Sequence, residues 1–243
     1  MSISLNRSAL IHDVDHRGIP NGQLAKEDPH LATAFRNQSI AEQNSVEIGW
    51  NLLQQEGFAE IRACLYTNAE ERNRLRQVLV NCVLATDIFD KQLSALRKAR
   101  WNKAFFESPL EEGPIMSLQQ KDEDRNRKAT IVIEHLIQAS DVAHTMQHWH
   151  VYTKWNERLY MEMVSAYNTG RADKDPSDGW YKGELWFFDN YVIPLAKKLD
   201  SCGVFGVSSD EYLSYAVSNR NEWESKGRKI LEGFMKSYPS KNK

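Results

Sequence analysis

Helical spacing of apolar residues is the feature that most constrains how this chain folds. Residues 40–55 carry apolar side chains in an imperfect single stripe, and their length favours a helix. Residues 69–99 follow Asn68, a typical capping residue, and begin with acidic residues, which predicts one long and largely buried helix. Residues 152–167 are amphipathic and aromatic, which predicts another helix. No strand-like alternation of useful length, internal repeat or low-complexity tract interrupts the pattern, so we expect an all-α fold.

Prolines and charged runs divide the helical segments. Residues 107–118 hold two prolines and a glycine, which predicts that a helix ends there and a loop follows. The charged run at 121–128 predicts a solvated face that leads into a buried helix ending near Asp141. Pro194 predicts a kink or break inside a helix over residues 184–199.

The domain organisation follows from the same pattern. We expect one partial catalytic domain over residues 1–243, in which residues 208–243 form a C-terminal helix with a frayed, Lys-rich tail. The composition is 41% hydrophobic and 26% charged, which is typical of a globular protein and excludes disorder. The formal net charge of -2 provides no global positive field for nucleic acid or an anionic membrane.

The chain lacks the signals of a membrane or secreted protein. Its longest apolar runs, such as residues 82–85, fall far short of the roughly 20 residues that a spanning helix needs. The three cysteines, Cys64, Cys82 and Cys202, are scattered, which predicts free thiols in a reducing compartment and disfavours a thiolate zinc site. We therefore expect a cytoplasmic protein.

The most informative cluster of polar residues lies at residues 11–16, IHDVDH. On a helix, His12 and His16 would lie one turn apart on the same face, with Asp13 able to converge on the same point. Nitrogen and oxygen donors of this kind suit zinc, magnesium or manganese. A hydrogen-bonded, buried His–Asp pair is the equal alternative.

Asp141 is the second candidate, at the end of the apolar helix. A buried carboxylate is too costly to keep ionised without a partner, so it must cap a group, pair with a cation or bind a metal. Metal binding is the simplest of these explanations. Nearby histidines, among them His144, are more typical of packing groups than of ligands.

At this point the residues resemble the class I 3',5'-cyclic-nucleotide phosphodiesterases. The resemblance covers about residues 9–202, in order and without large gaps. It is carried by four separated motifs: residues 12–18 (HDVDHRG) with Asn21 and residues 39–42 (SIAE), residues 83–87 (VLATD), residues 138–141 (QASD) with Trp155 fourteen residues later, and residues 184–187 (ELWF) before Asp189 and Pro194.

The resemblance implies a metal site and a reaction. His12, Asp13 and Asp141 would ligate a tightly held metal, usually zinc, and Asp13 would also touch a second metal, usually magnesium, with manganese as an alternative. His16 would lie near the bridging water. Two such divalent ions supply an attacking group at neutral pH and neutralise phosphate oxygens. The implied activity is hydrolysis of cyclic AMP, cyclic GMP or both to 5'-nucleotides in signal transduction.

The resemblance also implies two upstream histidines, one a metal ligand and the other the acid that protonates the departing O3'. Only eleven residues precede His12, so the sequence contains neither histidine, and the family's opening helices are missing too. A general acid contributes roughly 10²–10⁴ in rate. We therefore expect an N-terminally incomplete helical bundle of the HD/PDEase type that catalyses weakly or not at all. There are four alternative explanations for the incomplete domain: a fragment, a truncated gene model, a product that needs a partner segment, or a non-catalytic relic.

The resemblance places a base-binding clamp on the second half of the chain. Glu184 stands where the family usually has a glutamine that hydrogen-bonds the purine. Because an ionised glutamate only accepts hydrogen bonds, we hypothesise a preference for guanine, which offers N1–H and N2–H. The alternative is that Glu184 points elsewhere. Phe187 would stack on the purine, and Leu159 with Met163 would form the opposite wall, although these residues are also typical of a plain core.

Two other functions stay open. The chain could be a non-catalytic metal- or nucleotide-binding relic or interaction module, for which the missing histidine motif is the discriminating feature. An unrelated HD-type phosphohydrolase would not explain the Trp155 spacing or the motif at residues 184–187. The expected partner is a cyclic nucleotide, with no nucleic acid, and regulatory domains in a longer parent are compatible with the resemblance.

Overall fold

The computed structural model describes residues 8–106, 117–203 and 209–241, which are helical for most of their length and contain no strand. The predicted all-α fold is therefore confirmed. None of the described helices is both long and apolar enough to cross a lipid bilayer. From residue 21 onward, the α-helices of the described residues are α1 (Asn21–Glu27), α2 (Pro29–Ala34), α3 (Ile40–Gln54), α4 (Ala59–Ala63), α5 (Ala69–Leu84), α6 (Lys91–Phe105), α7 (Leu118–Asp141), α8 (Trp149–Asn168), α9 (Trp180–Phe187), α10 (Ile193–Ser201) and α11 (Ser209–Ser237).

The chain divides into two compact units. The first comprises Leu24–Gln138 together with the residues up to His16. The second comprises Arg17–Gln23 together with the residues from Ala139 onward. Helix α7 continues from the first unit into the second, so its last three residues, including Asp141, belong to the second unit.

The core of the first unit is built where α3 packs against α5. One buried cluster joins Trp50 of α3 to Leu75 and Leu79 of α5. A second cluster joins Cys82 of α5 to Ile137 of α7. Burying a large apolar side chain contributes about 1.5–3 kcal/mol to stability, so these contacts fix α5 against both neighbouring helices.

The predicted single helix over residues 69–99 is wrong, because it is interrupted between α5 and α6. The buried carboxylate of Asp87 accepts hydrogen bonds from the backbone N–H groups of Phe89 (3.1 Å) and Asp90 (3.2 Å) and from Oγ of Ser39 (2.8 Å). Asp90 then caps α6 by accepting from two backbone N–H groups, each at 2.9 Å. Aspartate side chains that bind nearby backbone N–H groups compete with the helix, which explains the interruption.

Helix α7 has a solvated first half and a buried second half. Residues 121–128 are exposed or half-buried, as the charged run predicts. In the buried half, both carboxylate oxygens of Glu134 accept from Nη1 of Arg100, at 2.9 and 3.0 Å. Helix α6 ends at Phe105 before the predicted loop, whose residues 107–116 lie outside the described residues.

In the second unit, α11 packs against α8, α9 and α10. Trp223 of α11 and Phe188 are fully buried, and the ring of Tyr152 from α8 contacts both edge-on, at centroid distances of 5.9 and 5.2 Å. These aromatic contacts hold the Tyr152 ring in one orientation. The predicted helices over residues 152–167 and toward the C-terminus are confirmed by α8 and α11.

The predicted break near Pro194 takes the form of a π-helical segment. Residues Phe188–Val192 form this segment between α9 and α10, and Pro194 lies in the first turn of α10. Proline has no backbone N–H to donate, and its ring crowds the carbonyl group four residues earlier. A π-helical turn accommodates that interruption without ending the helical path.

Candidate functional site

The segment that carries His12 is a turn rather than a helix. Residues 8–11 are helical and His12–Asp15 form a turn, in which Asp15 adopts a left-handed conformation with φ 63°. The prediction that His12 and His16 share one helical face is therefore wrong. Asp15 tolerates this conformation, and its carboxylate accepts a 3.1 Å hydrogen bond from Asn44 of α3. This contact anchors the turn within the first unit.

A ring nitrogen of His12 lies close to the carboxylate of Asp13. Nδ1 of His12 lies 2.9 Å from the carbonyl oxygen of Ala9, and only a protonated nitrogen can bond there. In the neutral ring the lone pair is therefore on Nε2, which lies 3.1 Å from Oδ2 of Asp13. A protonated Nε2 donates to this carboxylate, and in the neutral ring a bound cation can take the place of that proton. The pair thus fits a divalent metal, and a second ring nitrogen bonded to a backbone carbonyl is usual for metal-ligating histidines.

The ionisation of Asp13 is consistent with a metal ligand. A hydrogen bond from His12 lowers the pKa of Asp13, burial opposes that shift, and the charges of His12 and His16 lower it further. The carboxyl group is therefore ionised at neutral pH, which is the form that binds a metal. Its side chain is 65% exposed, so it remains accessible to an ion from solvent.

Asp141, the third predicted ligand, is the last residue of α7 and is exposed. The prediction of a buried carboxylate is wrong, because the buried stretch of α7 ends at Ala139, two residues earlier. In the 3₁₀ turn that follows, burial lowers the pKa of His144, while the negative charge of Asp141 opposes that shift. Asp141 thus presents its side chain at a helix end.

Glu184 lies in a network of neutral donors in the second unit. Its Oε2 atom accepts a 2.7 Å hydrogen bond from the hydroxyl group of Tyr152. Burial raises the pKa of Glu184 to about 7, and hydrogen bonds from Tyr152 and Asn156 oppose that shift. Asn156 is itself buried, and its Oδ1 accepts a 3.1 Å hydrogen bond from the indole N–H of Trp180.

The other predicted clamp residues also lie in the second unit. Phe187 stacks on Tyr191, with ring centroids 5.3 Å apart and planes inclined by 15°. Leu159 and Met163 are one turn apart on α8. Leu159 is 47% exposed and Met163 is half-buried, so neither belongs to the core of this unit. Their apolar surface remains available to a ligand.

Comparison with known sequences assigns most of the chain to one family. Residues 2–203 match the family described as 3'5'-cyclic nucleotide phosphodiesterase. The chain belongs to this family. The resemblance of the four motifs is thereby confirmed.

Individual phosphodiesterases match a large part of the chain at modest identity. The 3',5'-cyclic-AMP phosphodiesterase 4C of Mus musculus is 28% identical over 197 residues, which are 77% of this chain and 27% of the relative. Isoform F of the Drosophila melanogaster 3',5'-cyclic-AMP phosphodiesterase is 27% identical over 203 residues, which are 77% of this chain and 28% of that protein. The chain thus spans about a quarter of the length of these relatives.

Solved phosphodiesterase domains share the fold. The phosphodiesterase domain of the RhoPDE fusion protein from the choanoflagellate Salpingoeca rosetta superposes with a TM-score of 0.69 at 20% identity, covering 97% of this chain and 70% of that chain. A second structure of the Salpingoeca rosetta domain also gives a TM-score of 0.69, at 21% identity, covering 97% and 68%. These structures confirm the helical fold of the phosphodiesterase type.

Sequence reasoning about the phosphodiesterase motifs missed the partners of Glu184. Tyr152 and Asn156 are four residues apart on α8 and are both buried, so they lie on the same face. A hydroxyl group and an amide at helical spacing on the buried face of a helix indicate a buried polar network. Nothing in the spacing shows that Glu184, about thirty residues later, is the group they contact.

Proposed function

We propose that this chain hydrolyses 3',5'-cyclic nucleotides to 5'-nucleotides with divalent metal held by His12, Asp13 and Asp141. The observation that carries the proposal is the 3.1 Å distance between Nε2 of His12 and Oδ2 of Asp13, because each of these atoms can ligate a metal. Family membership supports the reaction, and the relatives with cyclic-AMP phosphodiesterase names support the substrate class.

The proposed metals are Zn²⁺ together with Mg²⁺ or Mn²⁺. When bound, such ions supply an attacking oxygen nucleophile at neutral pH and neutralise phosphate charge. The bond from His12 to the Ala9 carbonyl fixes the imidazole ring, and the low pKa of Asp13 keeps its carboxylate charged. We assign His16, whose backbone N–H donates to the Asp13 carbonyl at 3.1 Å, to hydrogen bonding with water beside the metals.

On the base side, Glu184 would accept hydrogen bonds from the purine and Phe187 would stack on its face. Leu159 and Met163 would supply the opposing apolar wall. An ionised Glu184 favours guanine, whose N1–H and N2–H both donate, whereas adenine presents one amino donor beside an acceptor. We therefore propose that cyclic GMP is preferred among the substrates.

The metal proposal is tested by measuring Zn²⁺ affinity by calorimetry for the wild type and for Asp13→Asn and Asp141→Asn. Each substitution keeps the shape of the side chain and removes its charge. We expect each to weaken Zn²⁺ binding by at least about 10-fold. Asp15→Asn is the matched control, because Asp15 lies on the same turn and bonds Asn44. Unchanged Zn²⁺ affinity in both Asp13→Asn and Asp141→Asn would contradict the proposed metal site.

The catalytic proposal is tested with the same variants by following the hydrolysis of cyclic GMP and cyclic AMP. We expect metal-dependent turnover that Asp13→Asn and Asp141→Asn abolish and Asp15→Asn retains. Zn²⁺ binding with no turnover of either nucleotide would instead favour a non-catalytic metal-binding function.

We also propose a cytoplasmic location. Cys64, Cys82 and Cys202 form no disulfide bond with one another, and burial raises the pKa of the Cys82 thiol to about 11, which keeps that thiol protonated. Cysteines outside disulfide bonds are typical of reducing compartments. Alkylation of all three thiols is the expected result when the protein is extracted from cells and denatured without reductant, and an intracellular disulfide would contradict it.

A further inference from the structure

A cavity of about 230 Å³ opens in the first unit between the start of α5 and the second half of α7. Its apolar lining is formed by Leu65, Leu75, Val78 and Ile133. Leu75 and Ile133 also belong to the two buried clusters of this unit, so the core holds this lining in place. Sites for drug-sized ligands measure about 300–1,000 Å³, so this cavity fits a smaller molecule with one apolar group.

The polar residues of the lining are Glu71, Arg74 and Thr130. Oγ1 of Thr130 donates a 2.9 Å hydrogen bond to the carbonyl oxygen of Asn126 on its own helix. Glu71 and Arg74 are exposed and lie one turn apart on α5. A carboxylate and a guanidinium group therefore stand side by side where the cavity meets solvent.

The guanidinium group of Arg74 makes no hydrogen bond or ion pair with any residue that the structure describes. The neighbouring arginines are engaged, because Arg72 and Arg76 both lie over the ring of Trp50, 5.8 Å from its centroid, and Arg76 also pairs with Glu47. Residues two apart on a helix do not share a face. Among these three arginines, Arg74 is therefore the one that faces the cavity, with its N–H donors available to a carboxylate.

Glu71 supplies a negative charge beside Arg74. Its Oε2 atom accepts hydrogen bonds from the backbone N–H of Thr67 at 2.7 Å and from the Thr67 hydroxyl group at 2.9 Å. These bonds lower the pKa of Glu71, so its carboxylate is ionised at neutral pH. A carboxylate offers about four lone-pair sites, so these two bonds leave capacity for an ammonium group.

We propose that this cavity binds a small zwitterionic amino acid with a branched apolar side chain, such as leucine. The carboxylate of the ligand pairs with Arg74, its ammonium group pairs with Glu71, and its side chain fills the apolar lining. Opposite charges that are one helical turn apart and do not pair with each other complement such a zwitterion. A fatty acid would instead bring its only charge close to Glu71, which repels it.

The test follows the methyl signals of Val78 and Ile133 by ¹H–¹³C NMR while leucine is added to the full chain. Both side chains line the cavity, so their shifts report its occupancy. We expect saturable shifts with a dissociation constant of about 1 mM or tighter. Alanine lacks the branched side chain and should bind at least about 10-fold more weakly.

Two variants test the charged residues separately. Arg74→Gln and Glu71→Gln should each weaken leucine binding by about 3- to 10-fold. Arg72→Gln and Glu70→Gln are the matched controls, because each removes the same charge from the same helix at a residue that does not line the cavity. Both controls should leave the affinity for leucine unchanged. Glu71→Gln keeps a side-chain oxygen for Thr67, so the start of α5 is preserved.

Three analogues decide between leucine and other occupants. 4-Methylpentanoate lacks the ammonium group, 3-methylbutylamine lacks the carboxylate, and N-acetyl-leucinamide carries neither charge, as a leucine residue within a partner protein would. Each should bind more weakly than leucine, and Glu71→Gln should not weaken the binding of 4-methylpentanoate. The proposal is overturned if leucine does not shift the methyl signals, if any of the three analogues binds as tightly as leucine, or if Arg74→Gln leaves the affinity for leucine unchanged.

Discussion

The hydroxyl group of Tyr152 donates a 2.7 Å hydrogen bond to Oε2 of Glu184, joining α8 to α9 at a half-buried carboxyl group. Burial raises the pKa of Glu184 to about 7 despite the opposing bonds from Tyr152 and Asn156. Glu184 therefore changes its charge near neutral pH, where a surface glutamate is fully ionised.

The raised pKa of Glu184 should make the protein less stable as the pH rises. Between the ordinary pKa of 4.5 and the folded value of about 7, the folded chain holds a proton that the unfolded chain has lost. The free energy of unfolding should therefore fall by about 2–3 kcal/mol from pH 5 to pH 8 through this group. Urea unfolding at several pH values measures this fall in the free energy of unfolding.

The neutral variant Glu184→Gln provides the control for that measurement. Glutamine does not titrate, so the difference in unfolding free energy between wild type and variant should carry the pH dependence of Glu184. A difference that stays constant from pH 5 to pH 8 would show that Glu184 does not hold a proton in the folded protein.

The preference between nucleotides should also depend on pH. Below pH 7 the protonated carboxyl group of Glu184 both donates and accepts, as a glutamine does, and this weakens discrimination against adenine. We expect the GMP-to-AMP affinity ratio to fall by about 2- to 10-fold from pH 8 to pH 6. In Glu184→Gln the ratio should be independent of pH, and a wild-type ratio that rises on acidification would contradict the prediction.

Replacing either of two glycines of α11 by alanine should change the free energy of unfolding, in opposite directions at the two positions. A Cβ atom at Gly227 would lie 2.7 Å from a ring carbon of the fully buried Trp223, whereas one at Gly233 meets nothing within 4 Å. We expect Gly227→Ala to lower the free energy of unfolding by about 1–3 kcal/mol. Gly233→Ala should raise it by about 0.5–1 kcal/mol, since alanine favours a helix. Denaturant unfolding would measure both, and equal effects would refute the close approach of the Trp223 ring to Gly227.

Two aspartates at the break between α5 and α6 should differ in their contributions to stability. Asp87→Ala removes the acceptor of three hydrogen-bond donors at a buried site and should cost about 2–4 kcal/mol. Asp90→Ala removes a half-buried helix cap and should cost about 1 kcal/mol. Chemical denaturation of the two variants measures the difference, and an equal or larger loss in Asp90→Ala would contradict the assigned role of Asp87.

Local patterns predicted the helices but not all of their ends. The cap at Asn68 and the amphipathic segment of α8 depend on residues within a few positions, so the sequence indicates them directly. The break at Asp87 was missed because its carboxylate competes with the helix only when it is buried and Ser39, 48 residues away, donates to it. Such a contact arises from packing and leaves no periodic signal.

The amino-acid sequence by itself determined the all-α class, the order of the helices and the family motifs, because spacing and residue type are sufficient for these. Only the tertiary structure decided that Nε2 of His12 faces the Asp13 carboxylate and that Glu184 contacts Tyr152 and Asn156. It also decided that His12 lies on a turn and that Asp141 is exposed. The direction of a hydrogen bond and the burial of a side chain depend on which atoms the folded chain brings together. The spacing of residues along the sequence does not show which of them will be in contact.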